Sequence, residues 1–245
     1  MTSNTAYILG FAFGDGNISK RGYLVRLYEQ NKEFIDNLGR MFSDCFGVMP
    51  KIYLDRYNNS YVLYKNSKNI WNALRSMGLP VGRKARIIEV PESIKSADPE
   101  TKAWFVSGVF DAEASSTSFS EQGRHPRGYK YFEVKMYSPQ FIEDVKRLLL
   151  DVSDEFRPLV YHYSYGSILR LNGIEQLKLV SSRLHLLHPR FSPPVHRSRN
   201  TGQGVNCHGE PKGSKPEGEA KAILRKDASP QGGGPKRPYS HGGLD

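Results

Sequence analysis

Apolar residues crowd this chain in two short blocks, "ILGFAFGDGN" at 8–17 and "WFVSGVFDAEAS" at 104–115, and elsewhere recur at spacings of two or of three to four. Each block is too apolar to have a wet face, which predicts a helix buried on all sides. Each carries glycine inside it and an acid at its end, Asp15 and Glu113. Both features are unfavourable locally. Glycine within a helix costs about 1 kcal/mol against alanine, and a carboxylate at a helix C-terminus meets the negative end of the macrodipole. The remaining helices are marked by their starts: Asn31 and Ser138-Pro139 before apolar residues at helical spacing, Ser67 before a helix ended by Gly78, and Asn172 before its counterpart. Asp98 and Pro99 form a cap and first-turn proline for the second apolar block. Strand-like runs fall at 22–29, 51–56 and 60–65, then at 116–120, 129–137, 157–163 and 166–171.

The pattern occurs twice. Asp15 and Glu113 correspond at an offset of 98 (113 − 15). "QNKEFIDNLGRMF" from 30 matches "YSPQFIEDVKRLL" from 137 at an offset of 107, and "YVLYKNSKNIWNAL" from 61 resembles "SILRLNGIEQLKLV" from 167 at 106. The jump between the first two offsets places an insertion at "SEQGRHPRGYK" (120–130). Three matches in one order indicate a tandem duplication. Each half reads helix, two strands, helix, two strands, helix, with boundaries at 1–97 and 98–191. From 192 to 245 the chain turns Gly-, Pro- and Lys-rich with Tyr239 as its one aromatic, the composition of a disordered basic tail.

The strand alternation separates two faces. Val25 and Leu27 alternate with Arg26, Tyr28 and Gln30, while Phe132, Val134 and Met136 alternate with Tyr131, Glu133, Lys135 and Tyr137. The offset of 107 superimposes one polar face on the other. Their Arg, Lys, Tyr and Gln are the residue types that hydrogen-bond phosphates and base edges. A net charge of +10 and 14 tyrosines in 245 residues point the same way, towards nucleic acid. Two cysteines, Cys45 and Cys207, are too few for a disulfide framework or a cysteine-rich zinc site. His125, His162, His185 and His188 lack metal-ligand spacing and read as surface or packing residues. No apolar stretch approaches a membrane span, and the expected setting is intracellular.

The two motifs, "ILGFAFGDG" (8–16) and "VSGVFDAEA" (106–114), resemble the paired motifs of single-chain LAGLIDADG homing endonucleases, and the likeness runs over roughly residues 5–190. The resemblance implies an α/β (α+β) fold of two pseudo-two-fold-related αββαββα repeats, each with a saddle-shaped antiparallel sheet, packed through the motif helices. Gly10, Gly14, Gly108 and Ala112 would then lie where the helices touch. Asp15 and Glu113 would be metal ligands for Mg2+, with Mn2+ a substitute, in a double-strand DNA endonuclease acting as a monomer. Gln30 and Lys135 would assist the attacking water; Tyr137, at the repeat position of Gln30, breaks the symmetry. Ala114 stands where the motif usually ends in glycine, and Glu113 replaces aspartate. The intron-encoded members look nearest, which sets the chain in an archaeal cytoplasm or an organelle matrix. Arg26, Tyr28, Lys51, Tyr53, Arg56, Lys65, Arg124, Arg127, Glu133, Tyr137 and Arg170 are the candidate DNA contacts. "GRK" at 82–84 with Arg86 reads as a linker able to grip phosphate. Three other readings compete. Both motifs could be plain buried helices whose acids face solvent; the family also includes RNA maturases that help their host intron splice and relatives that bind DNA without cutting; and Glu133-Val134-Lys135 has the acid-x-lysine spacing of other metal-dependent nucleases.

Overall fold

The computed structural model describes residues 1–82, 86–116 and 130–191, all within one compact unit. The basic tail, Arg124, Arg127, Arg83, Lys84, His125 and Cys207 lie outside the described residues. The first half runs α1 (Ser3–Asp15), β1 (Gly16–Ser19), β2 (Leu24–Glu29), α2 (Lys32–Phe46), β3 (Lys51–Asp55), β4 (Ser60–Asn66) and α3 (Lys68–Ser76). A short α4 (Glu92–Lys95) follows. The second half repeats the plan as α5 (Pro99–Glu113), β5 (Ala114–Ser116), β6 (Tyr131–Met136), α6 (Pro139–Val152), β7 (Leu159–Tyr163), β8 (Gly166–Asn172) and α7 (Ile174–Arg183). The result is a mixed α/β fold with two four-stranded antiparallel sheets, ordered β1-β2-β4-β3 and β5-β6-β8-β7.

Strand register reproduces the duplication residue by residue. Gly16 pairs with Leu27 as Ala114 pairs with Val134, and Leu27 pairs with Leu63 as Val134 pairs with Leu169. The three offsets are therefore 98 (114 − 16), 107 (134 − 27) and 106 (169 − 63), those of the sequence alignment. Alternation along the strands follows: Val25, Leu27, Phe132 and Val134 are buried beneath helices, and their neighbours face away.

Most helix starts are local chemistry. The side chains of Asn31, Ser67, Asp98 and Ser138 accept the backbone N–H groups of Phe34, Ile70, Thr101 and Phe141 respectively, which satisfies donors that helix geometry leaves unpaired. Three readings need correction. Asn172 does not cap α7; it ends β8, and Gly173 precedes the helix at φ 90° without a side-chain cap bond. Residues 22–23 belong to a 3-10 turn, not to β2, because the backbone reverses there with Gly22 at φ 70° and Tyr23 at φ 46°. The strand read at 116–120 begins earlier, at Ala114, and β1 carries no sequence run of its own because its four residues continue straight from α1.

The core sits along α1 and α5. A Cβ on Gly10 would stand 2.1 Å from the carbonyl oxygen of Phe105, and one on Gly108 would stand 2.1 Å from that of Tyr7. No larger residue fits at either place without moving backbone. Phe11 packs on Phe34 of α2, and Phe13 stacks on Phe141 of α6 at 5.5 Å, so the first motif helix is enclosed by both halves. The connection between halves is fastened to the second one. Val90 donates its N–H to Asp144 of α6 (3.1 Å), Lys95 pairs with the same carboxylate (3.1 Å), and Ser138 donates its hydroxyl to the carbonyl of Ile88.

Candidate active site and nucleic-acid interface

Both motif acids arrive at the end of the glycine seam. A Cβ on Gly14 would meet the Cβ of Ala112 at 2.5 Å, Cγ of Glu113 at 2.9 Å and Oε1 of Glu113 at 3.5 Å. The last turns of α1 and α5 thus lie side by side, with half-buried Asp15 and Glu113 closing them. Each acid opens onto its own cavity. One, of about 290 Å3, is lined by Asp15, Tyr28, Glu29, Gln30, Ser60, Ala112 and Arg190. The other, of about 130 Å3, is lined by Phe13, Gly14, Ile88, Glu113, Lys135, Met136 and Tyr137. The repeat offsets map Asp15 onto Glu113, Ala112 onto Gly14, and Tyr28, Glu29 and Gln30 onto Lys135, Met136 and Tyr137. The cavities are equivalent in position and different in chemistry. Gln30 and Lys135, both expected to stand near the acids, each line one of them.

Three residues of the first cavity, Glu29, Ser60 and Arg190, carry no signal in the sequence. Glu29 accepts the N–H groups of Gln30 (2.6 Å) and Asn31 (2.8 Å), and Nε2 of His188 lies 3.4 Å from it. His188 accepts the backbone N–H of Arg190 at Nδ1 (3.0 Å), which leaves Nε2 as the ring nitrogen that donates to Glu29. Burial alone raises the Glu29 pKa, but the bonds from His188 and the two amides outweigh it and hold the carboxyl below its ordinary range. Arg190 donates to the carbonyl oxygens of Asp111 and Ala112. That guanidinium covers the negative end of α5, beside the acids that make this helix end unfavourable. Residues 184–191 deliver His188 and Arg190. This strap crosses the seam, with His185 stacked on Trp104 at 4.0 Å and Leu187 donating its N–H to Asp111. Asp111 also accepts from Tyr7 Oη at 2.6 Å. Burial pushes its pKa up to about 6 against the pull of these bonds. Sequence separations of more than 75 residues hide the contacts of this strap with Glu29, Trp104, Asp111 and Ala112 from local pattern.

The outward sheet faces hold most of the remaining candidates. On the first sheet, Asn17, Arg26, Tyr64 and Lys51 form one cross-strand row, and Tyr28, Val62 and Tyr53 the next. Arg56 is exposed in the hairpin turn beyond β3. Lys65 departs from the expectation of a DNA contact: it pairs with buried Val25 on the helix-packed face and donates to the carbonyl of Met49 (3.3 Å). On the second sheet, Glu133 and Arg170 are cross-strand partners, joined by Nε and Nη2 to one carboxylate oxygen at 2.9 and 2.6 Å. Lys135 stands over the ring of Tyr165 at 4.5 Å, and Tyr137 is 58% exposed. Glu133 is therefore bound to Arg170 in the row Ser115–Glu133–Arg170–Leu159, and the cavity acid of the second half is Glu113.

Residues 2–78 match the family profile of the LAGLIDADG-like domain. The chain has the LAGLIDADG fold. The homing endonuclease I-DmoI, solved in complex with DNA and Mn, is 18% identical with a TM-score of 0.54, over 75% of this chain and 98% of that one. The N-terminal LAGLIDADG domain of DUF199/WhiA is 11% identical with a TM-score of 0.53, over 76% and 83%. Among curated proteins, the ribonucleoside-diphosphate reductase NrdEB subunit alpha of Bacillus subtilis is 25% identical over 161 residues, 60% of this chain and 14% of that protein. The chain thus spans about a seventh of this relative. Among the described residues no helix is long and apolar enough to cross a membrane, and no cluster of three or more His, Cys, Asp or Glu could hold a metal ion.

Proposed function

We propose that this chain is a site-specific double-strand DNA endonuclease, working as a monomer inside the cell. The observation that carries the reading is the pair of equivalent cavities flanking the glycine seam, each with one motif acid. The fold alone does not decide it, since I-DmoI and the WhiA domain share it. What supports cleavage is that both acids are present in a place where structure would avoid them. Two carboxylates brought together at negative helix ends are unfavourable by themselves, and hard oxygen donors of this kind suit a hard divalent cation such as Mg2+. Asp15 and Glu113 would hold it, with scissile phosphates and water completing the coordination. The bound ion would supply Lewis-acid activation of a water and charge stabilisation at the leaving oxygen.

The chain's own residues account for the rest. Arg26, Lys51 and the tyrosines of the sheet faces bind and orient the duplex. Gln30 in one cavity and Lys135 in the other are placed to orient the attacking water. Arg190 adds a cation where phosphate charge accumulates. Unequal cavity linings imply unequal rates for the two strands.

The test uses the full chain with a library of duplexes in Mg2+, in Mn2+ and in EDTA. Metal-dependent double-strand breaks at a defined site are expected. Asp15→Asn and Glu113→Gln should each retain duplex binding while losing roughly a thousandfold in rate, the worth of several kcal/mol of charge stabilisation. Loss of cleavage in Glu133→Gln with Asp15→Asn still active would move the site elsewhere. RNA binding without any break would favour a maturase.

A further inference from the structure

We propose that Arg170 reads a guanine in the half-site facing the second sheet, held in reading position by Glu133. This rests on the DNA-binding reading above and adds a base identity to it. Arg170 is half-buried at the centre of the outward row, on β8, with β6 and β7 on either side. Three neighbours fix its guanidinium. Glu133 takes the Nε–Nη2 edge at 2.9 and 2.6 Å. The rings of Tyr131 and Tyr161 lie 4.7 and 5.8 Å from Cζ.

An arginine used only to balance charge needs no such orientation, because exposed ion pairs contribute little. Planar guanidinium groups recognise planar acceptor pairs through a fork of two N–H donors. With one edge bound to carboxylate, the Nη1–Nη2 edge is the fork that matches guanine O6 and N7 in the major groove. Loss of rotamer freedom on binding is also reduced, since the side chain is ordered beforehand. Glu133 would then be a positioning residue, not itself a base contact. A carboxylate also discourages phosphate at this row, which keeps Arg170 for base edges.

The register locates the base. Lys135, in the Glu113 cavity, is two residues along β6 from Glu133, or about 7 Å of strand. At about 3.4 Å per nucleotide, the guanine lies about two base pairs farther from the cut than the level of Lys135.

The experiment is binding selection by the full chain from a randomised duplex library in EDTA, repeated with Arg170→Lys and Glu133→Gln. One guanine position is expected in the second-repeat half-site, preferred by roughly tenfold to a hundredfold over other bases. Arg170→Lys should flatten that position alone. Glu133→Gln should weaken it at the same position and leave the other positions intact. A purely structural salt bridge gives a different outcome: lower thermal stability, with the whole site profile weakened evenly or unchanged. That result, a conserved profile without guanine, or no selected sequence at all overturns the assignment. Because selection needs no metal, loss of the endonuclease reading leaves this one standing, and a cleaving chain indifferent to guanine sinks this one alone.

Discussion

Gly10→Ala sets two effects of opposite sign against each other. Helix propensity favours the substitution by about 1 kcal/mol. The seam opposes it, because the new Cβ would lie 2.1 Å from the Phe105 carbonyl oxygen, whereas carbon and carbonyl oxygen approach comfortably only to about 3.3 Å. The helices must therefore part by about 1.2 Å. Overpacking of this kind costs about 1–3 kcal/mol and sometimes more, and here the obstacle is backbone, which cannot rotate away. A net loss of about 1–2 kcal/mol is expected in urea unfolding. Gly39→Ala in α2 is the control, since its Cβ would meet side-chain tips and no backbone, Ile52 at 3.2 Å and Leu63 and Pro50 at 3.8 Å; it should leave stability unchanged or raise it by up to about 1 kcal/mol. Five residues beyond Gly10, or about 7.5 Å along the helix, the same separation displaces Asp15 from Glu113. A misplacement of about 1 Å costs on the order of a hundredfold in rate, measurable where both variants are folded. If Gly10→Ala gains stability as Gly39→Ala does, the two backbones do not meet at Gly10.

Other predictions concern buried carboxylates. Asp111 titrates near 6 when folded against 3.8 when unfolded. Between those values the folded state keeps a proton that the unfolded state releases, so its contribution is complete below pH 3.8 and is lost as pH rises through 6. Relative to Asp111→Asn, the wild type should lose about 3 kcal/mol from pH 3.5 to pH 7, followed by urea midpoints in EDTA; parallel curves would refute this. Asp144, 1% exposed and bonded to Val90, Lys95 and Gln140, should cost about 3 kcal/mol when replaced by alanine. Asp36→Ala, which breaks an exposed pair with Lys32, should stay within about 0.5 kcal/mol in the same unfolding assay. Equal effects would mean that the linker clamp contributes no more than a surface contact.

Local and repeated features were the readable ones. Asn31, Ser67, Asp98 and Ser138 bond within three residues of themselves, so composition alone reveals them. The duplication was legible because register preserves its offsets. Lys65 was misplaced because Val62 and Leu63 are both buried, which hides the alternation that would have assigned its face. The Glu133–Arg170 bond depends on β6–β8 register, and the placing of Glu29, His188 and Arg190 on a strap returning from the far end of the second half. Neither leaves a periodic trace.

At its two central glycines the seam touches through main chain: the carbonyls of Phe105 and Tyr7 face Gly10 and Gly108 of the opposite helix. Contacts made by peptide groups are indifferent to which side chains a lineage fixes on the two sheets. Substitutions on one half's outer surface therefore impose no compensating change on the other. A duplicated ancestor built this way can let its two sheets diverge while the seam between them stays fixed.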